Sequence, residues 1–103
     1  MINYKFRQFH ISKMLYKRIK NHCVGADKQM GSFFEEIAKW FLKRIARGEK
    51  MVYIASPQED HAMTIRISGC IAEELNKIAL YNKVSSARVI YTALMYYIDE
   101  NPL

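Results

Sequence analysis

Four polar side chains stand at alternate positions in two short runs that are otherwise apolar. Gln8 and His10 lie in Gln8-Phe9-His10-Ile11, and Thr64 and Arg66 lie in Thr64-Ile65-Arg66-Ile67. Their chemistry is hydrogen-bonded recognition, not bond-making. A guanidinium can donate together to O6 and N7 of guanine, and a side-chain amide suits the edge of adenine. A threonine can bond a base or touch a thymine methyl. His10 can donate to a base or a phosphate, or sit solvated or partly packed. Arg66 is the sharpest of the four, since losing a two-pronged guanine contact costs about 1–3 kcal/mol.

Alternation has period two, so each run predicts a short strand with one buried face. The buried set is expected to be Phe9, Ile11, Ile65 and Ile67. The other face then shows Gln8, His10, Thr64 and Arg66, with Phe6 and Ala62 as the next outward positions. Lys5 and Arg7 fall on the other parity, from which they could reach a polyanion backbone at a frayed strand end. A shift of one residue in the first run would exchange these two sets.

Each strand is followed by a serine, Ser12 or Ser68, suited to cap a helix by accepting from a first-turn amide. Apolar residues then recur at spacings of three and four: Leu15, Ile19, Cys23, and Ile71, Leu75, Ile78, Ala79. That is a helix with one buried stripe. Breaks are expected at Val24-Gly25-Ala26-Asp27, with Gly25 as the left-handed residue, and at Asn82-Lys83, where Asn tolerates that conformation. Second helices follow. Ser85 caps one. In the other, Ser32-Phe33-Phe34-Glu35 fits a capping box, with Asp27 as an earlier start. The stripe Phe33, Phe34, Ile37, Ala38, Phe41, Leu42 predicts a helix buried over much of its surface.

The apolar pattern repeats without a gap at an offset of 56 residues. Phe9 maps on Ile65, Ile11 on Ile67, Ser12 on Ser68, and Ile19 on Leu75. Phe33 maps on Val89, Phe34 on Ile90, Ala38 on Leu94, and Leu42 on Ile98. The reading is two strand-helix-helix units, 1–47 and 62–103, joined by a linker at 48–61 and sharing one core. A unit of ~45 residues is too small to bury enough surface alone. In the linker, Met51-Val52-Tyr53-Ile54-Ala55 reads as a short strand or part of a helix, and Ser56-Pro57-Gln58-Glu59-Asp60 as a loop.

Half of the 103 residues are apolar, so a sizeable core is available. The net charge of +6 is split unevenly, with +8 in residues 1–50 and −2 in residues 51–103. A basic half favours polyanion contact. No apolar window is long enough to span a membrane, and the first residues lack the pattern of a secretory leader. Cys23 and Cys70 have no metal-site spacing and read as small core hydrophobes in a reducing cytoplasm. Trp40, Tyr91, Tyr96 and Tyr97 sit at helical spacing and read as core or interface. No phosphate-loop glycines and no nucleophile setting are present, so no enzyme activity, cofactor or metal is expected.

The run from Met63-Thr64-Ile65-Arg66-Ile67-Ser68 to Val84-Ser85-Ser86-Ala87-Arg88-Val89-Ile90-Tyr91-Thr92-Ala93-Leu94 resembles the ribbon-helix-helix family of Arc- and MetJ-type repressors. The resemblance covers residues 62–98 well and 5–45 less well. It departs in lacking a turn glycine and in having Ala87 where the family often has Ser. Two units in one chain are similar to TraY-type accessory proteins of conjugative plasmids. The resemblance implies a mainly α fold with a two-stranded antiparallel ribbon, arranged as an intrachain pseudo-dimer that reads duplex DNA in the major groove. It further implies a role at a plasmid transfer origin, as a relaxosome accessory with a relaxase or other conjugation proteins as partners, or in transcription regulation as a plasmid or phage repressor. Further copies binding adjacent sites would be additional partners. Two different half-readers also mean that the preferred site need not be palindromic.

Backbone contacts would come from the amide-rich starts of the second helices, at Gln29 and Met30 and at Ser85 and Ser86. Lys28 and Lys83 add charge, and Lys5 and Arg7 extend it along the strand end. One rival is a protein-interaction module such as an antitoxin-like partner binder, against which only a few residues follow Ile98. Another is a helical scaffold with no DNA role.

Overall fold

The computed structural model describes residues 4–55, 57 and 61–103. Four of the loop residues, Ser56, Gln58, Glu59 and Asp60, lie outside the described residues, as does the start of the chain at Met1-Ile2-Asn3. The elements run β1 (Tyr4–Ile11), α1 (Lys13–Gly25), α2 (Met30–Ala46), β2 (His61–Ser68), α3 (Gly69–Asn82) and α4 (Ser86–Glu100). The protein is thus mainly helical with a two-stranded sheet. The helix starts keep the sequence offset: Lys13 and Gly69 are 56 residues apart, and so are Met30 and Ser86.

The strands pair antiparallel, from Tyr4 opposite Ser68 to Ile11 opposite His61. Phe9, Ile11, Met63, Ile65 and Ile67 are buried on the face that meets the helices. Met63 extends the expected set by one position.

The helices pack crosswise on this sheet. α2 lies against β2, and α4 lies against β1, while α2 and α4 pack on each other. Phe33, Phe34 and Phe41 of α2 are buried with Val89, Ile90 and Leu94 of α4. Their rings meet edge to face, Phe9 with Phe34 at 5.7 Å and Phe33 with Phe34 at 5.8 Å between centroids, the arrangement that ring quadrupoles favour. Tyr91 is buried, while Trp40, Tyr96 and Tyr97 pack on the core from its margin.

The serine caps work at two of three places. Ser12 Oγ accepts from the Leu15 amide at 3.1 Å, and Ser85 Oγ from the Arg88 amide at 3.1 Å. Ser68 occupies the cap position of α3 without a capping bond from its side chain.

Several local expectations are corrected. α2 begins at Met30 after Gln29, ahead of the expected capping box at Ser32. Glu35 is turned elsewhere, as described below, and cannot close that box. The left-handed residue after α1 is Asp27 (φ 54°), not Gly25, which stays in the helix. Asp tolerates this conformation, so the chain turns two residues later than the glycine suggests. After α3 the left-handed residue is Lys83 (φ 58°), while Asn82 donates from its side chain to the Ile78 carbonyl at 2.8 Å.

The segment 51–55 is neither strand nor helix. It is tied to α4, where the Ile54 amide donates to Thr92 Oγ1 at 2.8 Å and the Val52 amide to Tyr96 Oη at 3.1 Å. Side-chain oxygens of α4 thus take the place of a partner strand at these two amides. Cys23 is buried, but Cys70 is exposed, because it falls in the first turn of α3 on the side away from Ile71 and Ala72.

Two outcomes are expected. Phe33→Ala empties a fully buried site and should lower unfolding free energy by about 3–5 kcal/mol, within one transition that includes both halves, as read by urea denaturation. A thiol reagent should modify Cys70 in the folded protein. Burial pushes the Cys23 thiol upward and shields it, so Cys23 should react only on unfolding, as mass spectrometry would report.

Candidate nucleic-acid interface

The sheet has one covered face and one open face. On the open face lie Tyr4, Phe6, Gln8 and His10 of β1 and Ala62, Thr64 and Arg66 of β2. All are exposed except His10, which is half-buried. The parity expected from the sequence therefore places Gln8, His10, Thr64 and Arg66 together on one surface. Gln8 is directly opposite Thr64. Phe6 is opposite Arg66 at one end, and His10 is opposite Ala62 at the other.

Arg66 is held from across the ribbon. Its guanidinium carbon lies 4.4 Å from the centre of the Tyr4 ring, close enough for attraction to the ring face. Among the described residues, its five N–H donors have no hydrogen-bonded or ionic partner. The start of α2 adjoins this end of the ribbon: Tyr4, Gln29, Gly31, Ser32, Glu35 and Arg66 line one small hollow of about 60 Å³. Glu35 Oε1 accepts from the Ser68 amide at 2.6 Å, so a side chain of α2 fastens the end of β2. Neither Tyr4 nor this Glu35 contact was foreseen. Continuing the alternation two residues before Phe6 would have found Tyr4. Glu35 carried no signal beyond its own helix.

The expected backbone contacts divide. The α2 cap residue Gln29 makes no side-chain cap bond, so the first amides of α2, Met30 included, are left to solvent or to an anion. Ser85 already uses its hydroxyl on Arg88, and Ser86 follows it as the first residue of α4. Lys28 is bound to Glu36 at 2.9 Å, and that bond pushes its ammonium upward. Any phosphate there competes with a carboxylate. Arg7 points toward the protein, donating to the Phe6 carbonyl at 2.9 Å and to Asn76 Oδ1 at 3.4 Å. Lys5 and Lys83 are exposed.

The basic excess of the first half is concentrated on α1, where Lys13, Lys17, Arg18 and Lys20 are exposed; among the described residues the three lysines make no ion pair, and Arg18 donates to the Leu103 main-chain oxygen at 3.5 Å. Among the described residues, no group of His, Cys, Asp or Glu is arranged to hold a metal ion, and no helix is long and apolar enough to cross a membrane. A hollow of about 600 Å³ lies away from the ribbon between α3 and residues 45–53.

Removing the Glu35 carboxylate leaves the Ser68 amide without its charged acceptor. Glu35→Ala is expected to cost about 1.5–3 kcal/mol of stability, and faster exchange of the Ser68 amide proton should be visible by NMR. No family model, curated protein or solved structure matches the chain.

Proposed function

We propose that this chain is a sequence-specific double-stranded DNA-binding protein, and that its two strand-helix-helix halves act as tandem ribbon-helix-helix units forming one pseudo-dimer. The observation that supports this most is the open face of the ribbon. It presents hydrogen-bonding side chains on an antiparallel pair whose other face is buried against helices. A two-stranded ribbon fits the B-DNA major groove, about 12 Å wide. Arg66 would take guanine, Gln8 adenine, and Thr64 and His10 the neighbouring edges. The free amides of α2, with Lys5 and Lys83, would bind phosphates and set the register of the ribbon without reading sequence.

Within DNA binding, a role as accessory protein at a plasmid transfer origin is favoured by two halves being carried in one chain. The alternative is a plasmid or phage repressor, and neighbouring transfer genes would separate the two.

The decisive measurement is fluorescence anisotropy with duplex DNA over a series of salt concentrations. Tight binding at low salt should weaken steeply as salt rises, because neutralised phosphates release counterions. On a selected site, the pair Arg66→Ala and Gln8→Ala should each lose about 1–3 kcal/mol, with little change on unrelated duplex. Equal losses on both would mean that the ribbon does not read bases, and absence of binding to any duplex at low salt would refute the proposal.

A further inference from the structure

The offset between the halves and the register of the ribbon together fix where its centre lies. Residues related by the repeat differ by 56, and Gln8 and Thr64 satisfy that relation while also facing each other across the sheet. The pseudo-twofold axis therefore passes through the Gln8–Thr64 pair. It exchanges His10 with Arg66 and Phe6 with Ala62. In a symmetric ribbon the two ends would be alike. Here one end holds Phe6 opposite Arg66, and the other holds His10 opposite Ala62.

Phe6 is 66% exposed on the open face of the sheet, where its phenyl group is available to an apolar partner. It is not among the residues of the buried core or those packed against it. Its neighbour across the ribbon is a guanidinium already steadied by Tyr4. Exposed phenyl and planar cation side by side match two adjacent features of a major groove. The 5-methyl group of thymine is the apolar one, and the O6/N7 edge of guanine is the acceptor pair. At the opposite end the imidazole and the alanine methyl offer a weaker and smaller version of each.

We infer that Phe6 is a specificity-determining residue that detects a thymine 5-methyl beside the guanine taken by Arg66. The protein consequently sits on its site in one orientation only, with the Phe6/Arg66 end on the stronger half. Tyr4 is a positioning residue, since it acts through Arg66. This inference rests on the DNA-reading proposal above.

The experiment is selection from a random duplex library with the full chain, followed by deoxyuridine substitution at each thymine of the enriched site. Uracil removes only the methyl group and leaves base pairing intact. A non-palindromic motif is expected, with one thymine, next to an essential guanine, whose replacement weakens binding about fourfold, the worth of one buried methyl-sized group. In Phe6→Ala that difference should vanish while the guanine preference persists. Phe6 is exposed, so the variant should fold, and the uracil scan on the unaltered protein does not depend on it. A palindromic motif would overturn the single orientation. A non-palindromic motif that tolerates uracil everywhere would overturn the role of Phe6. Enrichment of no motif would overturn the base-reading proposal itself, and so is distinct from either.

Discussion

A single β-strand in water leaves the amides and carbonyls of both edges without protein partners. In this chain each strand finds its partner only in the other half. Pairing β1 with β2 satisfies one edge of each and, in this register, turns Phe9, Ile11, Met63, Ile65 and Ile67 to one side. A slip of one residue would expose that whole set. The register is thus held more by burial than by the strand hydrogen bonds, whose net worth is about 0.5–1.5 kcal/mol each.

The helices are bound by the same constraint. α2 covers β2, and α4 covers β1, so neither half can complete its core from its own residues. Glu35 of α2 reaching the Ser68 amide repeats the exchange in polar form. So does the segment 51–55, which crosses to α4 and uses Thr92 and Tyr96 as partners. Residues far apart in sequence must meet before any of these contacts form, which slows folding relative to a purely local helical bundle. In return, the open face of the ribbon is carried on a continuous packed base.

The elements with strong periodic patterns could be read from the residues. Ile19, Cys23, Phe33, Phe34, Leu75 and Leu94 stand at helical spacing, and all are buried. The alternation around Ile65 and Ile67 sets the phase of β2 without ambiguity. The phase of β1 was open, since Arg7 occupies an inward position equivalent to Met63. The structure resolves this by giving its guanidinium an amide and a carbonyl as partners. Other outcomes could not be read from residue type alone. Asp27 and Lys83 adopt left-handed conformations although Gly25 and Asn82 are the better intrinsic candidates. Glu35 serves a distant amide instead of its own helix start. Cys70 looks apolar in composition but falls on an exposed turn. On the open face, polar residue types were conspicuous, while Tyr4 gained meaning only once the register put it over Arg66.

The central pair of the ribbon has one more implication. Where two identical chains build such a ribbon, any substitution appears twice, and the residue beside the axis must tolerate its own copy. Here Gln8 faces Thr64, so the halves are free to drift apart. A change at Phe6 or His10 alters one end and leaves the other as it was. Each arm of the surface can be retuned by single steps of mutation, and the shared core beneath need not change with it.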